Sequence, residues 1–210
     1  MYFEVDESEL NPFTKCGRLV VCGFSNSGKS TFVSQIIRKY HSQFSKIIVL
    51  GGVLENVSDL NIEYNNNFNP LIDDDETDSN PPPKLVIFDD LIMDPKLTKL
   101  AANIFFRGRH RNLSIIFISH NLFYPDPSYR MISLNASHFC LFKGRDISQI
   151  ERFSRTIFSK DKTASFVALY KNEVCKKPYG YIVIDLTKDP ESPLSISTDI
   201  FSDYQRFFSL

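Results

Sequence analysis

The sequence is poor in the residues that would staple a small domain or build a fibre. It has four cysteines and eight glycines in 210 residues. Cys16, Cys22, Cys140 and Cys175 include no pair at metal-ligand spacing, and Cys22 lies in an apolar, strand-like run. They read as reduced thiols of an intracellular protein rather than a disulfide framework. So few glycines exclude a collagen-like chain, and 42% hydrophobic residues exclude disorder. Long apolar runs are absent too. The longest lie around Leu19–Cys22 and Ile47–Leu50, far from the roughly 20 residues that a membrane span needs, so no membrane role is expected. The start, MYFEVDESELNPFTK, is acidic and has neither a basic leader nor an apolar core. The expectation is a protein that is not secreted, for which the sequons at Asn56, Asn112 and Asn135 carry no meaning.

Net charge is the last scarcity: 24 basic side chains face 25 acidic ones, for a formal total of −1. That total conceals a pattern. Residues 1–17 carry −3, 18–60 carry +3, 61–83 carry −6, 84–180 carry +8 and 181–210 carry −3. A nucleic-acid partner is therefore not excluded, because attraction depends on the local field.

The length suits one domain. Residues 1–17 read as an acidic extension, 18–187 as the domain and 188–210 as a tail. Asn61–Pro83, with its acidic run and three final prolines, reads as an inserted loop, and the prolines feed the next strand. Elsewhere apolar strands alternate with helices. Strands are expected at Arg18–Gly23, Lys46–Gly51, Lys84–Asp90, Ser114–Ser119, His138–Phe142 and, last, Tyr179–Leu186. Helices are expected at Lys29–Tyr40, Lys96–Phe106, Asp146–Phe158 and Lys162–Asn172. Continuous apolar strands joined by helical crossovers give an α/β three-layer sandwich around a mainly parallel sheet.

Four features carry chemistry. The first is GFSNSGKS, residues 23–30, a complete G-x-x-x-x-G-K-S between an apolar strand and a helix. Its backbone N–H groups and the helix N-terminus form a phosphate cradle. The nucleotide-binding set is Gly23, Ser25, Asn26, Ser27, Gly28, Lys29, Ser30 and Thr31; Lys29 reaches the terminal phosphates and Ser30 ligates Mg²⁺. The second is the acidic end of Leu85–Phe88: Asp89 holds the Mg²⁺ shell and Asp90 polarises the attacking water. Either Asp could instead cap the following segment. The third is the polar end of the fourth expected strand, where His120 and Asn121 are placed to sense the terminal phosphate or position water. The fourth is the run Arg107, Arg109 and Arg111. It suits an arginine finger reaching a neighbouring subunit, contact with nucleic-acid phosphates, or a solvated basic turn.

GFSNSGKST, VIFDDL and RGRHRNLSIIFISHNLF, in this order, resemble the DNA-packaging ATPases of large eukaryotic DNA viruses and of Maverick-type elements, within the FtsK/HerA group of P-loop translocases. Arg107–Phe123 is the most specific part, and the likeness extends over about residues 17–187. The resemblance implies a RecA-like core, ATP and Mg²⁺ as cofactors, and a ring of five or six copies pumping double-stranded DNA. It also implies a capsid partner and work in the host cytoplasm or nucleus or in the virion. The chain departs from the family pattern twice. His120 stands where Gln precedes Asn, and Ser195–Phe201 lacks arginines. Two alternatives remain, a nucleoside or nucleotide kinase and a non-hydrolysing assembly factor. No LSGGQ-like segment marks a transporter ATPase, and no N-K-x-D motif marks a GTPase.

Overall fold

The computed structural model describes residues 11–13, 16–65, 81–89, 94–190, 192, 194–202 and 205–210, with the backbone alone for Arg109 and His110. Among these residues nine strands form one sheet: β1 Arg18–Cys22, β2 Lys46–Leu50, β3 Ile62–Tyr64, β4 Lys84–Asp89, β5 Leu113–Ser119, β6 His138–Phe142, β7 Tyr181–Asp185, β8 Ile196–Thr198 and β9 Arg206–Phe208. Five α-helices accompany them: α1 Lys29–Tyr40, α2 Pro95–Arg107, α3 Pro127–Asn135, α4 Ile147–Ile157 and α5 Thr163–Tyr170. The strand order is β3-β2-β4-β5-β1-β6-β7-β8-β9. The first six strands of that order run parallel, and β7, β8 and β9 are antiparallel additions.

The central strands are apolar throughout because both faces are covered. On one face Leu19, Val21, Ile47, Val49, Ile116 and Ile118 pack with Phe32, Val33, Ile36 and Ile37 of α1. On the other, alternate residues such as Val20, Ile48, Phe88 and Phe117 pack with residues of the remaining four helices. The expected α/β three-layer sandwich is the observed architecture. No helix among the described residues is long and apolar enough to cross a membrane. None of the four cysteines is in a disulfide. Burial pushes the Cys22 thiol up to about 12, against a smaller opposing effect of Lys29, so it packs as a neutral side chain.

Several elements differ from expectation. The loop expected over Asn61–Pro83 begins with a strand, Ile62–Tyr64, that pairs with β2. Its acidic run lies outside the described residues, and Pro83 leads directly into β4. Helix α3 was not expected; its nine residues bury only Tyr129 and Ile132, too weak a stripe to register as periodic. Its start was readable, since Asp126 caps the N-terminus and Pro127 occupies the first turn. The helix expected over Lys162–Asn172 ends its regular part at Tyr170 and continues as a π-turn, Lys171–Cys175. Strand β7 is not the last, because the stretch read as a tail contributes β8 and β9 to the same sheet.

His138 opens β6, buried between Ser137 Oγ, 2.9 Å from its Nδ1, and Asp185 Oδ1, 3.3 Å from its Nε2. Burial lowers its pKa below the ordinary 6.5; Asp185 opposes that, while Lys188 and Arg18 reinforce it. Protonation therefore favours the unfolded chain. The neutral imidazole's contribution is complete above the unfolded pKa and is lost as pH falls through the folded one. Thermal melts should show Tm falling between about pH 7 and pH 5, and His138→Gln should flatten that decline. An unchanged slope in the variant would remove His138 from the acid response.

Candidate nucleotide site

The parallel strands end on one edge of the sheet, and the phosphate loop leaves it from the end of β1. Gly23 N donates to Ser119 O (3.2 Å) and Phe24 N to Lys143 O (3.0 Å), which ties the loop to β5 and to the end of β6. The loop turns through left-handed backbone at Asn26 (φ 60°) and Gly28 (φ 101°). Gly28 meets that requirement without Cβ strain and stands at the N-cap of α1. No side chain caps this helix, so its first N–H groups lie open to an anion.

Lys29, though charged, is 6% exposed. Its ammonium donates to Phe24 O (2.9 Å) and lies 3.4 Å from His120 Nδ1, so it is drawn over the loop's own backbone. Ser27 Oγ is buried with no hydrogen-bond partner. Leaving a buried hydroxyl unsatisfied costs roughly 1–3 kcal/mol, and a phosphate oxygen in the cradle would satisfy it. This orphaned group, the buried ammonium and the open helix end together fit a nucleotide's phosphates. Ser25, Asn26, Ser30 and Thr31 are exposed around them.

Asp89 ends β4, but β5 stands between β4 and β1. The acid is thus not directly beside the phosphate loop; two strand spacings, about 10 Å, separate their backbones. Register sets Asp89 opposite Ile118 and Cys22 opposite Ser119, so all three strands finish at one level. Asp89 is not the cap of the next helix, since Asp94 accepts from Lys96 N and Leu97 N. Asp90 lies outside the described residues. Ser30 and Asp89 are the residues that would hold Mg²⁺.

Gly52 is a residue the sequence reading missed. A Cβ built there would fall 2.1 Å from Asp89 Oδ2, so a side chain at 52 would force the carboxylate out of its present position. Gly52→Ala should displace it. Because an error of about 1 Å can cost 10²-fold, turnover should fall by about that factor while metal-free nucleotide binding stays constant. A variant with wild-type turnover and metal dependence would show that the Asp89 position is unimportant.

The β5 corner is held firmly. Ser119 Oγ and Tyr129 Oη donate to Asn121 O at 2.8 and 2.6 Å, and Leu122 N donates to Gln149 Oε1 at 2.9 Å. Gln149 Nε2 also reaches Asn121 Oδ1 at 3.4 Å. His120 and Asn121, expected at this site, are found there, and Gln149 of α4 is a further support that the strand pattern did not reveal. Arg145 was missed as well. With Phe24, Ser25, His120 and Asn121 it lines a cleft of about 170 Å³. Its signal was available: it follows the end of β6, β1's other parallel neighbour.

The expected arginines are elsewhere. Arg107 ends α2, and Gly108–Arg111 form a 3₁₀ turn just before β5. They enter the strand at its start, whereas the phosphate loop stands beside its end. The seven residues of β5 span about 20 Å. Arg107, Arg109 and Arg111 thus occupy the opposite edge of the sheet from their own phosphate loop.

A family described as Poxvirus A32 protein matches residues 55–197, which include β4, the arginine run and β5 but not the phosphate loop. No curated protein sequence is significantly similar to the chain. Among solved structures, the genome packaging NTPase B204 from Sulfolobus turreted icosahedral virus 2 in complex with sulfate superimposes with a TM-score of 0.59 at 15% identity, over 82% of this chain and 92% of that one. The same protein in complex with ATP-gammaS gives 0.54 at 12%, over 93% and 98%. B204 from Sulfolobus turreted icosahedral virus, described as a DNA-packaging ATPase, gives 0.52 at 14%, over 91% and 96%.

Proposed function

The chain belongs to the poxvirus A32 protein family, and from that premise we propose that it uses ATP hydrolysis to move double-stranded DNA into a capsid. It is an ATPase of the viral genome-packaging type. The single observation that carries the reading is the phosphate cradle, with Lys29 drawn in and Ser27 Oγ waiting for an acceptor or donor. Lys29 holds the terminal phosphates. Ser30 and Asp89 would hold Mg²⁺, which would supply charge neutralisation at the transferred phosphoryl group. Asp90 polarises the attacking water, and His120, beside the Lys29 ammonium, registers whether the terminal phosphate is present. Arg145 faces the same cleft and stabilises charge within its own subunit. Arg145→Ala should lower turnover by about 10²-fold without loss of assembly; wild-type turnover would remove it from the site.

Copies assemble head-to-tail into a ring, with arginines of one subunit completing the site of the next. The ring acts inside the infected cell and docks on a capsid component. The +8 stretch over residues 84–180 supplies the field for DNA, so binding should weaken steeply with salt and show little sequence preference. A flat plot of log affinity against log salt would contradict this. The deciding experiment is ATP turnover with and without double-stranded DNA, together with particle mass in a non-hydrolysable ATP analogue. DNA-stimulated turnover by a multi-subunit particle is the expected result. Phosphorylation of a small-molecule acceptor would make the protein a kinase, and tight binding without turnover would make it an assembly factor.

A further inference from the structure

Tyr179 has no place in the chemistry above. It is 72% exposed, the most exposed aromatic residue among those described, ahead of Phe106 at 57% and Tyr64 at 44%. Its backbone is left-handed, with φ 54°, a conformation that costs a bulky residue energy and persists only where its surroundings impose it. The side chain's neighbour is the phosphate loop. A Cβ built on Gly28 would lie 3.3 Å from Tyr179 Cδ1 and 3.5 Å from its Cβ. The ring therefore stands against the residue from which α1 starts.

The position is firmly supported. Tyr181, two residues on, packs with Phe32 of α1 and Phe142 of β6 at centroid distances of 4.9 and 5.4 Å. Phe142 Cε1 approaches Gly28 from the same side, 3.4 Å from the built Cβ. Gly180 N donates to Lys177 O (3.2 Å) and closes the turn that carries Tyr179. An apolar ring left in water on a rigid mount offers a π-face at little entropic cost, and aromatic bases stack on such faces. A nucleotide with its phosphates at the α1 N-terminus would lie beside Gly28, and so beside this ring.

We propose that Tyr179 is the platform on which the nucleotide base stacks, an inference that rests on the phosphate loop binding nucleotide. The chain contains no tryptophan, so Tyr179→Trp creates a single reporter. Titration calorimetry should compare a non-hydrolysable ATP analogue with inorganic tripolyphosphate, which has the charge but no base. Tyr179→Ala should bind the analogue about ten-fold more weakly, about 1.4 kcal/mol, and bind tripolyphosphate as the wild type does. Tyr179→Phe should keep wild-type affinity for both. The Trp variant's emission should be quenched by the analogue and not by tripolyphosphate. Equal weakening of both ligands by Tyr179→Ala would make the ring a support for the loop, and unchanged affinity for both would remove it from the site; either result overturns the proposal. Tripolyphosphate binding by the wild type with no analogue preference would overturn it alone. Failure of the wild type to bind either ligand would overturn the phosphate-loop reading as well.

Discussion

Lys29→Ala should lower ATP turnover by at least about 10²–10³-fold, with Tm little changed. Lys29 is the only buried cation placed by the described residues inside the phosphate loop, and its ammonium already sits within reach of Phe24 O and His120 Nδ1. Removing it leaves charge on the transferred phosphoryl group without its nearest protein counter-charge. Charge-assisted contacts of this type are roughly twice as strong as neutral ones. Lys29→Arg should not restore the rate, because a planar fork replaces a point charge at a site that admits 6% exposure. Turnover above a tenth of wild type in Lys29→Ala, measured by phosphate release, would move the nucleotide site elsewhere.

The second large effect belongs to the arginine run. The Gly108–Arg111 turn lies on the opposite edge of the sheet from its own phosphate loop, so a functional role for the run is with a neighbour's nucleotide or with DNA, against a solvated basic turn that has neither. If one of them is a finger, its alanine variant should lose about 10³–10⁵ in turnover while binding nucleotide normally. The diagnostic is complementation. A subunit with Lys29→Ala still offers its arginines, and a subunit with the finger variant still offers its phosphate loop. Mixed rings of these two inactive proteins should therefore recover measurable turnover. If Arg107→Ala, Arg109→Ala and Arg111→Ala each hydrolyse ATP normally in the presence of DNA, the finger role is wrong. A steep loss of DNA affinity in those variants would then assign the run to phosphate contacts.

The local motifs were legible because their parts are contiguous. Residues 18–40 contain strand, glycine turn and amphipathic helix in one stretch, so Gly23–Thr31 could be assigned without knowing what packs around them. The same holds for the apolar strands that end in Asp89 and in His120–Asn121. Charge could be divided along the chain, and the basic region found, from the sequence alone. Short or weakly patterned pieces could not: β3, β8 and β9 have three residues each, too few for a period to register.

By itself, then, the sequence determined a P-loop α/β protein with its cradle, its acidic strand end and its basic stretch. Only the tertiary structure decided how these meet. Strand order inserts β5 between β1 and β4, and direction along β5 sends the arginines to one edge and His120 to the other. Gly52, Gln149 and Tyr179 come beside Asp89, Asn121 and Gly28 from distant stretches through contacts that no local period encodes. The physical reason is that pairing and packing across a sheet depend on which strands become neighbours, and that choice is made by burial of the whole core rather than by any one segment.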